Sequence, residues 1–151
     1  MLKVREAFPQ DLEFIVKAQV AMAFETESMN LNESVVTKGC RAVIEDPNKG
    51  TYWMVESEGG LVGMCLTIPE WSDWRNGTVL WIHSVYTLPE FRGKGVFATL
   101  YAYLKKMVSE GSDLRGLRLY VDRRNESAKA VYEKIGMSAD HYELYEWMKG
   151  T

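Results

Sequence analysis

Along the chain, apolar positions switch several times between a spacing of two and a spacing near 3.6. Leu2 to Glu6 alternates apolar and charged residues in the manner of a half-buried strand. Pro9, tolerated in a first helical turn, and Asp11 just after it then open a helix. Leu12, Ile15, Val16, Gln19, Val20 and Ala23 share one face of that helix, which is predicted to run to about Phe24. Asn32 is placed to cap a second helix with Val35, Val36, Cys40, Val43 and Ile44 on its apolar face, closing before Asp46-Pro47.

The period then falls to two. Tyr52 to Ser57, Leu61 to Trp71 and Thr78 to Thr87 are rich in β-branched and aromatic residues and are separated by turn-forming segments, so they read as three strands. Helical spacing returns after Gly95 with Val96, Leu100, Tyr103, Leu104, Met107 and Val108, and Gly111 ends it. Leu117 to Val121 is predicted as a strand, Asn125 to Ile135 as a helix stopped by Gly136, and Tyr142 to Met148 as a final strand. The order is βααβββαβαβ, an α/β class with a mixed sheet. The short turn at Glu58-Gly59-Gly60 implies an antiparallel first half, and the helix between Thr87 and Leu117 implies a parallel pair of fourth and fifth strands. No repeat or linker interrupts the pattern, so residues 1–151 are expected to fold as one domain.

Composition narrows the function classes. With 46% hydrophobic and 26% charged residues the chain matches ordinary globular proteins. A net charge of −3 supplies no basic field for a polyanion, so no nucleic acid partner is expected. The first residues lack the apolar core of a signal peptide, and no uncharged run approaches the ~20 residues of a membrane span. The expectation is a soluble, cytoplasmic protein with no membrane partner. Cys40 and Cys65 lack CxxC spacing, which suggests neither a disulfide framework nor a thiolate metal site; both read as core thiols.

The sharpest local feature is Leu88-Pro89-Glu90-Phe91-Arg92-Gly93-Lys94-Gly95-Val96, between a strand and a helix. Glycines beside cations at a helix N-terminus make an anion site, because backbone N–H groups approach phosphate oxygens and the helix dipole adds positive potential. Gly93-Lys94-Gly95-Val96-Phe97-Ala98 formally matches the dinucleotide fingerprint G-x-G-x-x-G/A, but Pro89 to Arg92 separate it from its strand and too little chain follows for that fold. Gly95-Val96 also stands where a P-loop needs Gly-Lys-Ser/Thr.

Arg92 and Gly95 fit the Gln/Arg-x-x-Gly-x-Gly/Ala pyrophosphate loop of the GNAT N-acetyltransferase superfamily, which this segment resembles. Phe97 departs from it, standing where the family has a small residue and leaving acyl-chain preference open. A second segment, Asn125 to Met137, resembles the family's N-x-x-A-x-x-[LV]-Y-x-K-x-G-[FM] helix, and the two motifs occur in the family's order.

The resemblance implies a GNAT fold binding acetyl-CoA in the splay between the fourth and fifth strands. It implies that the backbone of Val85, Tyr86 and Thr87 pairs with the pantetheine arm, that the N–H groups of Arg92, Gly93, Lys94, Gly95 and Val96 cradle the diphosphate, and that Asn125 contacts the coenzyme. Tyr132 falls at the family's general acid; its alternative role is a packed helical ring. His83 falls where several members place a strand Glu as general base, and a neutral imidazole can take a proton from an ammonium. The alternation of His83 with Ser84 would let only one of them face the cleft. His141 has no motif support.

Acceptors in the family bind near the first two helices and the loop after the third strand. Trp71, Asp73 and Trp74 there, with Glu27 and Glu25 after the first helix, are candidates to hold a cation through ring faces and charge, and alternatively are ordinary surface. Arg75 equally suits a carboxylate-bearing acceptor. The expected activity is direct acetyl transfer from acetyl-CoA to a small-molecule primary amine in a ternary complex. Acetylation of a protein N-terminus or lysine, and a non-catalytic acyl-CoA sensor, are the alternatives. The aromatic final strand offers a surface for a homodimer.

Overall fold

The computed structural model describes residues 1–150. Five strands and four helices follow in the order β1 (Lys3–Glu6), α1 (Leu12–Glu27), α2 (Glu33–Glu45), β2 (Thr51–Ser57), β3 (Gly60–Ser72), β4 (Gly77–Thr87), α3 (Val96–Glu110), β5 (Leu114–Arg118) and α4 (Glu126–Lys134), with single 3-10 turns at Pro9–Asp11 and Pro89–Phe91. Packing divides the chain into two compact units, Met1–Arg118 and the segment from Leu119 on. None of the helices in the described residues is long and apolar enough to cross a membrane.

The first unit holds one sheet in the order β1-β2-β3-β4-β5, antiparallel except for the parallel β4–β5 pair. Alternation along β2 sends Tyr52 and Met54 to one face and Trp53 and Val55 to the other, and all four are buried. On the first face Tyr52, Met54, Met64, Leu66 and Tyr86 pack with Ile15, Val16 and Ala18 of α1 and Cys40 of α2. Ile15, Met54 and Met64 are fully buried, and each such side chain contributes about 1.5–3 kcal/mol. The opposite face carries α3: the rings of Trp53 and Tyr103 stand 5.4 Å apart, and Trp53 Nε1 donates to Thr67 Oγ1 at 2.9 Å.

Helix ends follow the expected chemistry. Asn32 Oδ1 accepts the Val35 N–H and caps α2. α1 runs one turn beyond the predicted Phe24 and stops where Ser28 turns left-handed, its N–H bonded to Phe24.

β5 begins three residues earlier than the expected Leu117, because its position is set by parallel pairing with Thr78–Trp81 rather than by the β-branched Val121. The Thr78 N–H, donating to Asp113 O at 2.8 Å, starts that ladder.

The second unit contains α4 and the segment after it. Asn125 Oδ1 accepts from the Ala128 N–H and from Ser127 Oγ, both at 3.1 Å, capping the helix. Gly136, at φ +94°, ends it: the Met137 N–H reaches Tyr132 O and the Gly136 N–H reaches Glu133 O. The final strand expected over Tyr142–Met148 does not form. Residues 141–150 carry no regular structure, since alternating polarity makes a strand only where a ladder receives its backbone groups, and no ladder includes this segment.

Candidate functional site

The site is built at the second half of β4 and the turn that follows. β5 pairs only with Thr78–Trp81, so from Ile82 to Thr87 β4 has β3 on one side and no strand of the described residues on the other. That leaves a row of main-chain donors and acceptors at the strand's open edge.

A bulge lies within this stretch. Leu66 faces His83 and Met64 faces Tyr86, so Ser84 and Val85 together oppose Cys65. Ser84 takes φ +53°, a left-handed conformation uncommon for serine. The extra residue resets the alternation, so His83 and Tyr86, three apart, lie on the same face as Leu66 and Met64, the face covered by α1 and α2. Simple alternation would have paired Ser84 with Tyr86 instead. Nothing in the sequence signals the bulge, because its left-handed residue is not a glycine.

After β4, the 3-10 turn at Pro89–Phe91 leads to Gly93 at φ +76° and Gly95 at φ +81°, with α3 starting immediately. A Cβ placed on either glycine meets nothing within 4 Å, so the backbone there borders open space. Gly95 caps α3 without a side-chain bond, and the first intrahelical N–H is that of Thr99, bonded to Gly95 O at 3.0 Å. The N–H groups of Val96, Phe97 and Ala98 therefore lack intrahelical acceptors, at the positive end of the helix dipole. The helix is held close by Gly63 of β3, where a Cβ would lie 2.8 Å from Val96 Cγ1 and 3.0 Å from Tyr86 O. An isolated glycine inside a strand pattern was the available sign of this close approach.

The turn's cations are already engaged. Arg92 Nε donates to Thr87 O at 3.0 Å and Nη2 to Glu25 Oε2 at 2.8 Å, while its guanidinium lies 5.5 Å from the Tyr86 ring centroid. Lys94 Nζ stands 5.5 Å over the Phe91 ring. Phe97 turns toward Tyr101 along α3, the two rings 6.2 Å apart.

His83 is half-buried beside Trp81, and burial pushes its imidazole below the ordinary histidine value. In the second unit Tyr132 lies on α4, where burial raises its phenol, and Asn125 is the cap of the same helix. Both cysteines are free and buried, and burial raises both thiols, so neither is poised as a nucleophile.

The acceptor candidates separate. Glu25 and Glu27 are in the last turn of α1, and Glu25 touches the turn through Arg92. Trp71, Asp73 and Trp74 lie at the β3–β4 hairpin, at the opposite end of β4, about 30 Å away at the usual rise per residue. Trp71 and Trp74 are 63% and 89% exposed, and Asp73 Oδ1 accepts the Trp74 N–H. Arg75 is in the same hairpin, bonded to Ser72 Oγ.

Comparison with known proteins agrees with this geometry. The model of the acetyltransferase (GNAT) family matches residues 16–137. No curated protein sequence matches significantly. Among solved structures, a possible acetyltransferase from Clostridium difficile 630 is 39% identical with a TM-score of 0.94, covering 100% of this chain and 99% of its own. A predicted acetyltransferase from Clostridium acetobutylicum, solved with acetyl-CoA, is 18% identical with a TM-score of 0.73, covering 100% and 96%. A ribosomal-protein-alanine N-acetyltransferase from Brucella melitensis biovar Abortus 2308 is 18% identical with a TM-score of 0.80, covering 99% and 100%. The open edge of β4, the left-handed glycine turn and the matched family model lead to one conclusion: this chain belongs to the GNAT acetyltransferase family.

Proposed function

We propose that the protein transfers an acetyl group from acetyl-CoA directly to the primary amine of a small molecule. The observation that carries this reading is the edge of β4 beyond Trp81, which no second strand of the described residues joins, running into a left-handed glycine turn at a helix N-terminus without a side-chain cap. These residues fit the coenzyme. The edge over Val85, Tyr86 and Thr87 has the spacing to pair with an amide-bearing arm, as strands pair with extended chains. Backbone N–H groups from Gly93 to Ala98 border open space and suit a diphosphate.

Acetyl-CoA supplies the activated acyl carbon, as a thioester. The chain's own work is to move protons. His83, neutral near pH 7 because burial lowers its affinity for protons, accepts one from the acceptor ammonium. Tyr132, kept protonated by burial, holds a proton on Oη for the departing sulfur. The raised thiols of Cys40 and Cys65 argue against a covalent acyl-enzyme and for transfer within a ternary complex.

The test is thiol release from acetyl-CoA across a panel of small primary amines, with protein N-terminal and lysine peptides alongside. Turnover with a small amine supports the proposal. Turnover confined to peptides would move the acceptor to proteins, and coenzyme binding without any turnover would make the protein a sensor.

A further inference from the structure

Glu25 is in the last turn of α1, where a carboxylate opposes the negative end of the helix dipole and the turn has no basic residue to offset it. Helix stability therefore does not account for it. Its partner does: Glu25 Oε2 accepts Arg92 Nη2 at 2.8 Å across 67 positions of sequence. The same guanidinium donates through Nε to Thr87 O, the last residue of β4, and lies over the ring of the buried Tyr86. One side chain thus joins the end of α1, the end of β4 and the residue directly before Gly93.

We propose that Glu25 is a positioning residue for the coenzyme turn, acting through Arg92. On this account the Arg92 side chain is a strap and the turn's backbone N–H groups do the binding. Glu25 holds the guanidinium on the Thr87 carbonyl, and this fixes the path of the chain into the two left-handed glycines. The inference rests on the reading of this turn as the diphosphate site. An ion pair this exposed, with its side chains 47% and 39% accessible, has a modest effect.

Two measurements separate the strap from the reading beneath it. The first is amide hydrogen exchange over Gly93–Ala98 in the coenzyme-free protein, for wild type, Glu25→Arg, Arg92→Glu and the double exchange Glu25→Arg/Arg92→Glu. The second is calorimetric binding of CoA to the same four proteins, with thermal unfolding to confirm that each is folded. The expected result is faster exchange in both single variants and near-wild-type exchange in the double. CoA affinity should fall about two- to fivefold in the singles and recover in the double. If exchange is unchanged while wild type binds CoA, the strap is wrong and the site reading stands. Failure of the double exchange to restore CoA binding would mean that Arg92 contacts the diphosphate itself, which also overturns the proposal. Were wild type to bind no CoA, the site reading and the inference on it would both fall, whatever the exchange shows.

Discussion

At the level of single residues, the proposed chemistry turns on His83, which stands where the family resemblance places a strand glutamate in several members. Burial holds His83 below its ordinary value of about 6.5, so it is neutral and ready to accept a proton at pH 7. The rate should therefore fall as pH drops through the lowered imidazole value, on the acid side of 6.5, as the imidazole becomes occupied by its own proton. His83→Gln should abolish that acid limb and lower kcat/KM about 10²-fold, measured as a pH profile of acetyl transfer. Survival of the limb in the variant would assign it to another group. Tyr132→Phe should cost a similar factor in kcat with little change in CoA affinity, since its proposed task arises only at departure of the thiol. The position of His83 was legible from its distance to Arg92 in sequence. Its face was not, because that depends on the bulge, and Ser84 has no feature that separates a left-handed serine from an ordinary strand serine.

Elements were legible wherever local chemistry decides them. Asn32 and Asn125 cap the helices they were expected to cap, and Gly111 and Gly136 end the helices they were expected to end. What could not be read was anything set by pairing between distant segments. β5 starts at Leu114 because that residue meets Thr78 at the start of β4, and Tyr142–Met148 has a strand's polarity without a ladder. The glycine turn depends on both kinds of information. Its conformation is local: Gly95→Ala should cost about 1 kcal/mol in stability, since a Cβ there meets nothing but φ +81° is strained for alanine. Its placement is long-range: Gly63→Val should push Val96 and the start of α3 outward, costing about 1–3 kcal/mol from overpacking. Gly63 is on a different strand from the turn. Weaker CoA binding in Gly63→Val, by calorimetry on protein that unfolds cooperatively, is therefore expected from displacement of α3 alone.

At the scale of the whole first unit, stability should depend on pH in two separate windows with different owners. Arg5 of β1 donates through Nη1 to Asp11 Oδ2 at 2.7 Å and through Nε to Glu56 Oε1 at 2.8 Å, tying β1, the entry to α1 and β2 together. Asp11 Oδ2 also accepts the Phe8 N–H at 2.7 Å. Burial pushes the Asp11 carboxyl up, but the Arg5 and Phe8 bonds outweigh it and leave the group below the usual aspartate value. A depressed carboxyl stabilises fully above its unfolded value near 3.8, and the contribution is lost as pH falls through the folded value. His83 works in a higher window. Its lowered value means the unfolded chain binds a proton first, so stability declines as pH falls through about 6.5. Thermal unfolding of wild type should then show one loss that sets in as pH falls below about 6.5 and a second below about pH 4. His83→Gln should remove only the first. Asp11→Asn should lower Tm at neutral pH by an amount equivalent to about 2–4 kcal/mol, leaving Arg5 half-paired, and should shrink the second loss, to which Glu13 and Asp46 also contribute, while leaving the first. A wild-type and Asp11→Asn difference that stays constant from pH 7 to pH 3 would show that the Asp11 contribution comes from shape rather than charge.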